Sequence, residues 1–171
     1  MDLAAKEKNP TGICILQQNE ISVKTVFSTK LIFSSIDFVN PTVIAIDAPL
    51  MTGNIRIRKA DQLMKKYGAM PPTMPSMQIL TRRGTRLAEQ FRKQQYTVIE
   101  VFPTGSAKIL GFYHKKYKKS VEQLNMHNVF NNKHEYDSYV CSLTAKLYHV
   151  GKTKQVGDEQ GFIVIPKSYQ E

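Results

Sequence analysis

Val43 to Leu50, Val-Ile-Ala-Ile-Asp-Ala-Pro-Leu, sets four apolar or small residues directly ahead of a carboxylate, with a proline two residues further on. A short run of this kind, rich in β-branched residues, reads as a strand covered on both faces, and Pro49 ends it. In open α/β sheets, ligands gather beyond the carboxyl ends of such strands, so Asp47 is a candidate site residue by position. The useful question for the rest of the chain is what else reaches that end.

The 171 residues suit one domain, 1–171, long enough to bury roughly 70% of its unfolded surface. Gly12 to Leu16 and Ile21 to Phe27 read as a hairpin, and Ser28 to Asn40 as a short helix or loop ended by Asn40-Pro41. Ile55 to Tyr67, with Gly68 as its cap, and Met77 to Lys93 carry helical spacing. Between them Pro71, Pro72 and Pro75 exclude regular structure, so residues 53–94 read as an insertion of helices and a mobile proline loop between sheet strands. Met70, Met74 and Met77 of this segment read as packing residues. Tyr96 to Phe102 is a second interior strand, placing Glu100 near its carboxyl end. Short helices follow at Ala107 to Leu110 and Lys116 to Met126. Lys133 to His149 is a longer helix with Gly151 beyond it, and Phe162 to Ile165 is an edge strand closed by Pro166. Strands in a meander, then strands alternating with helices, predict an α/β fold with a mixed five- to six-stranded sheet flanked by helices.

Four acids fall at element ends: Asp2, Asp47, Glu100 and Asp137. Two-metal phosphodiester chemistry needs carboxylates from separate elements, because their oxygens must hold two Mg²⁺ or Mn²⁺ ions roughly 4 Å apart. Taken singly, any of the four reads equally well as a cap or a surface charge. Asp47 and Glu100 stand out, since an acid in an apolar strand is costly to bury unless paired or metal-bound. His134 lies three residues before Asp137 and shares its helix face, whereas Glu135, about 200° away on the wheel, suits the helix N-terminus. Asp2 has only Met1 ahead of it, so its strand is either stunted or begun upstream.

An acid on strand one, one after strand four and one on a late helix is the layout of the RNase H-like fold. Asp2-Leu-Ala with Pro10-Thr-Gly, Ile46-Asp-Ala-Pro-Leu, Arg58-Lys-Ala-Asp61, Arg83-Gly84, Ile99-Glu-Val-Phe-Pro-Thr-Gly105 and His134-Glu-Tyr-Asp137 together resemble the predicted RNase H-like nucleases of domain of unknown function 429. The resemblance runs from Asp2 to Lys167. It implies a Mg²⁺- or Mn²⁺-dependent phosphodiesterase distantly related to Holliday-junction resolvases, with Asp2, Asp47 and Asp137 as ligands of the ions. His134 would be a further ligand or proton carrier, and Glu100 a supporting residue at the site wall. The chain departs from the family at its start, where members carry an apolar strand ending Gly-Ile-Asp.

The charge balance agrees with such a substrate. Against 14 Asp and Glu stand 24 Lys and Arg, a net +10 and a pI near 9.6, the footprint of a polyanion binder. Arg58, Arg82, Arg83 and Arg86 belong to one basic block, and the last three fall within about one helical turn, a spacing suited to phosphates. Lys108, Lys115, Lys116, Lys118 and Lys119, interleaved with Tyr113 and Tyr117, form a second block suited to phosphate contact and base stacking. Cys14 and Cys141 read as buried, reduced thiols, and no apolar run approaches the ~20 residues of a membrane span. The expectation is a cytoplasmic nuclease acting on DNA or RNA, with a homodimer compatible. A phosphohydrolase of nucleotides or small phosphate esters, or a non-catalytic nucleic-acid binder, shares these features.

Overall fold

The computed structural model describes residues 1–18 and 20–168. Strands β1 (Thr11–Gln17) and β2 (Glu20–Val26) form an antiparallel hairpin. Helix α1 (Thr29–Val39) starts at Ser28, whose side chain accepts from the Leu31 amide, and ends at Asn40 in the left-handed region at φ 47°. Strand β3 (Val43–Ile46) lies parallel to β4 (Thr97–Glu100). Between these two come α2 (Lys59–Met64), a 3-10 turn at Lys65–Tyr67 closed by Gly68 at φ 99°, and α3 (Pro75–Lys93). Then follow α4 (Pro103–Ile109), α5 (Tyr117–Gln123), α6 (Lys133–His149) and the antiparallel pair β5 (Thr153–Asp158) and β6 (Gly161–Pro166).

The fold is mixed α/β, but the regular ladders are two strands wide, β1–β2, β3–β4 and β5–β6, rather than one continuous sheet of five or six strands. Single links join them. Asp2 and Gly12 exchange both backbone hydrogen bonds, at 2.9 and 3.0 Å, in an antiparallel bridge. On its other side Met1 donates its amino group to the Ala45 carbonyl at 2.8 Å and accepts from the Asp47 amide at 3.0 Å, the pattern of a parallel pair. Val101 and Val164 form a parallel bridge between β4 and β6. After β4, Pro103 turns the chain into α4.

Other expectations change as well. Strand β6 is no edge, since it has β4 on one side and β5 on the other. The outer strand is β5, whose polar Thr-Lys-Gln-Val-Gly-Asp lacks the apolar alternation that reveals a strand in a sequence. Pro103 begins α4, where its missing N–H costs nothing. In the proline loop Pro72 is fully buried, which anchors the loop, while Met70 and Met74 are exposed rather than packed.

As expected, β3 and β4 are covered on both faces. Ile44, Ile46 and Val98 pack with Ile32, Leu87 and Phe91 on one side, and Ala45, Ile99 and Val101 with Cys141 and Ala145 of α6 on the other. Both cysteines are free and buried, and burial raises both thiols above their ordinary range. Among the described residues no helix is long and apolar enough to cross a membrane.

Gly12 fixes how α6 meets this sheet. A Cβ there would lie 2.0 Å from the His134 carbonyl oxygen, so only glycine lets β1 approach the first turn of α6. A backbone clash cannot be relieved by rotating a side chain. Gly12→Ala is expected to cost about 3 kcal/mol or more in urea unfolding; a loss below about 0.5 kcal/mol would show that the contact is not tight.

Candidate active site

Three elements bring three carboxylates to the end of the sheet where β3 finishes. Asp2 is held there by its bridge to Gly12, and Asp47 by the bond from its amide to Met1. Asp137 comes one turn inside α6, whose start is tied down by several bonds. Asn132 accepts from the Glu135 amide at 3.0 Å, and Glu135 accepts from Thr25 Oγ1 of β2 at 3.0 Å and from the Asn131 amide at 2.8 Å. Glu135 is thus a buried fastener of the helix N-terminus, in line with the charge expected there.

The electrostatics record how close the three acids stand. Burial pushes Asp47 well above the ordinary carboxylate range, and the charges of Asp2 and Asp137 push it further. Asp47 keeps some surface open to solvent while protein crowds it on the remaining sides. Asp137 is also raised, first by burial and then by Asp2, although a hydrogen bond from Lys133 opposes the shift. Nδ1 of His134 donates to Oδ2 of Asp2 at 2.7 Å, and the ring is about half exposed. His134 therefore joins the cluster through its bond to Asp2, and it also lies near enough to Asp137, on the helix face they share, for its charge to favour the Asp137 carboxylate.

Lys133 is the residue that sequence reasoning missed. Its ammonium pairs with the Asp137 carboxylate, and although burial lowers its pKa, Asp137, Asp2 and Asp47 together raise it. The available signal was its i,i+4 spacing from Asp137, a standard helix pairing. Among the described residues no three His, Cys, Asp or Glu side chains form a finished metal site. The donor set nevertheless has the right chemistry for a hard divalent ion: carboxylate oxygens, excess negative charge, and a side-chain cation already drawn to it.

Glu100 belongs to a different network. Its carboxylate receives Arg58 Nη1 at 2.7 Å and Nη2 at 2.6 Å, while Asp61 receives Nε at 3.0 Å and Nη2 at 2.8 Å from the same guanidinium. Burial drives Glu100 up to about 7 against the pull of Arg58. Burial also works against the Arg58 charge, but its bonds to Glu100 and Asp61 more than compensate and its pKa rises. Arg58 is fully buried, so its expected contact with phosphate is replaced by this internal role, foreshadowed by Asp61 at i+3. The network grips the loop after Asp47: Glu100 accepts from the Leu50 amide at 2.7 Å and Arg58 donates to the Leu50 carbonyl at 3.3 Å. Glu100 accordingly supports the site from behind and is not one of the converging acids.

Helix α3 flanks the acids. Its Gly84 backs so closely onto the loop that a Cβ would come within 2.6 Å of Ala48 Cβ and 3.6 Å of a Leu3 methyl. Arg82 and Arg86 are exposed on α3, but Arg83 is half-buried and donates to the Ala4 carbonyl at 2.7 Å, fastening the N-terminal segment. Lys115 and Lys116 are exposed ahead of α5. The tyrosines among these lysines are committed elsewhere: Tyr117 packs on Tyr136 with centroids 5.8 Å apart, and Lys108 sits over the Tyr113 ring at 4.8 Å.

Comparison with known proteins gives no match, whether to a protein-family model, a curated protein or a solved structure.

A carboxylate raised by its neighbours is a stored cost. Because the folded value of Asp47 lies above its unfolded one, its contribution to stability is present below the ordinary range and is lost as pH rises through the raised value. In chelator at pH 7, Asp47→Asn is expected to be more stable than the parent by about 1–3 kcal/mol, with the gap closing as pH falls toward 4. Denaturant titrations across that range measure it; a variant less stable at pH 7 would mean that Asp47 is not repelled.

Proposed function

We propose that this chain is a Mg²⁺- or Mn²⁺-dependent nuclease of the RNase H-like class that hydrolyses phosphodiester bonds in nucleic acid. One observation carries the reading: acids from an N-terminal extended segment, the end of an interior parallel strand and a late helix meet, so that burial and then the charges of Asp2 and Asp137 oppose ionisation of Asp47. That is the layout on which the resemblance rests. The order β2, β1, Met1–Leu3, β3, β4 across the bridges supports it as well, with only β1 antiparallel to its neighbours.

In this reading Asp2, Asp47 and Asp137 hold the metal, one or two ions. A divalent ion there supplies electrophilic stabilisation of the phosphate and lowers the pKa of water. The chain's own residues do the rest. His134 fixes the orientation of the Asp2 carboxylate through Nδ1, leaving Nε2 to exchange protons with solvent. Lys133 serves as counter-charge and must release Asp137 when the metal binds. Glu100 and Arg58, by clamping Leu50 at both its amide and its carbonyl, keep the Asp47 loop from recoiling. Arg82 and Arg86 offer positive charge along α3 for the phosphate backbone, with Lys115 and Lys116 as a more distant patch.

The Lys133–Asp137 pair favours one alternative. A cluster whose charge is partly compensated by its own lysine can persist without a metal, as in a nucleic-acid-binding protein without catalysis.

A panel of single-stranded, duplex and branched DNA and RNA with Mn²⁺ separates the two. The nuclease reading expects cleavage of at least one substrate, reduced at least about a thousandfold by Asp47→Asn. Salt-sensitive binding with no cleavage in Mn²⁺ would establish the binder instead.

A further inference from the structure

Lys133 is the first residue of α6, and the start of that helix is fastened by the bonds of Asn132 and Glu135, so its Cα stays at the rim of the acid cluster. Its side chain can still move, being 59% exposed against 12% for that of Asp137. In the pair they form, the carboxylate is the fixed partner and the ammonium the movable one.

The ammonium occupies Oδ2 of Asp137, an oxygen that a hard cation would use, whereas His134 bonds to Asp2. Asp2 and Asp47 attract it as well, so it sits where a bound cation would be drawn. Yet an i,i+4 pair at a helix surface is weak. It yields to a divalent cation among the three acids, which takes the oxygen and repels the ammonium. The flexible four-carbon stem then keeps the displaced charge within a side chain's length of the acids. There the nearest anion is the phosphate of a bound strand.

We propose that Lys133 has two stations, Asp137 in the empty site and a phosphate oxygen of the nucleic acid in the loaded one, and that its transfer makes metal and nucleic acid bind cooperatively. At the first station it resists the metal and gives nothing to a strand. At the second it holds phosphate and competes for nothing. Each ligand therefore tightens the other by the same factor, as linkage requires. The inference rests on the nuclease reading and adds the regulation of its site: neither ligand alone is held as tightly as the two together. A lysine serving only as a surface helix pair would produce no such coupling.

Lys133→Met keeps the length of the stem and removes the charge. The test measures Mn²⁺ affinity by electron paramagnetic resonance, with and without a short single-stranded phosphorothioate DNA that resists hydrolysis. Without DNA, Lys133→Met is expected to bind Mn²⁺ about tenfold tighter than the parent. With DNA, the affinity of the parent rises about tenfold and that of Lys133→Met less than about twofold, while Lys133→Arg keeps the coupling of the parent. Lys24→Met, which removes the same charge from an exposed position on β2, stays within about twofold of the parent. Equal Mn²⁺ affinity in the parent and Lys133→Met, or a DNA dependence that survives in Lys133→Met, would overturn the inference and leave the metal centre in place. An equal gain from Lys24→Met would do the same, by reducing the effect to net charge. Absence of Mn²⁺ binding in every variant would remove the nuclease reading and this inference with it.

Discussion

Asp47 sits where burial and two neighbouring carboxylates all oppose its ionisation, and most of the surrounding fold can be understood as what keeps it there. Left free, the loop carrying it would turn the carboxylate outward. The Asp47 amide is held by Met1, the Leu50 amide and carbonyl by Glu100 and Arg58, and the Met51 amide by Thr85 of α3 at 3.0 Å. Opposite the loop, α6 is anchored by Asn132, Glu135 and Thr25, and its approach is set by the bare backbone of Gly12. Two independent sets of contacts thus press Asp47 and Asp137 toward each other. A fold that spends stability to gather like charges is characteristic of a functional site.

The buried Arg58 network has the same logic one layer back. One guanidinium between two carboxylates leaves an excess negative charge inside the protein, which is a poor way to gain stability. Its geometric effect is specific, because it fixes both backbone polar groups of Leu50, three residues beyond Asp47. Gly161 covers it so closely that a Cβ would stand 2.8 Å from Arg58 Nη1, so the turn into β6 seals the network from water.

Periodicity and turn residues made much of the fold legible. The bounds of α6 agree with the sequence to the residue, because Asn132 can cap its start and a glycine follows its end. The burial of β3 and β4 on both faces followed from uninterrupted apolar runs. What stayed hidden was tertiary. Strand β5 has no apolar pattern because it lies at the edge, and the division of the sheet into short ladders joined by single bridges has no local signature in the residues. At the site, the positions of Asp2, Asp47 and Asp137 were legible as acids at element ends. The true partners of Arg58, Arg83 and His134 were not, since an arginine aimed at phosphate and one aimed at a buried carboxylate or carbonyl look alike in a sequence. Lys133 was overlooked for the opposite reason: its spacing from Asp137 is common on solvent-facing helices.

The chain is strongly basic overall, yet its excess negative charge is concentrated at one end of the sheet, beside the exposed arginines of α3. Anomalous diffraction from crystals soaked in Mn²⁺ decides whether that concentration is a metal centre. Anomalous density is expected among Asp2, Asp47 and Asp137, with Lys133 moved off Asp137. Crystals that show Lys133 still paired with Asp137 and no anomalous density among the three acids would contradict it.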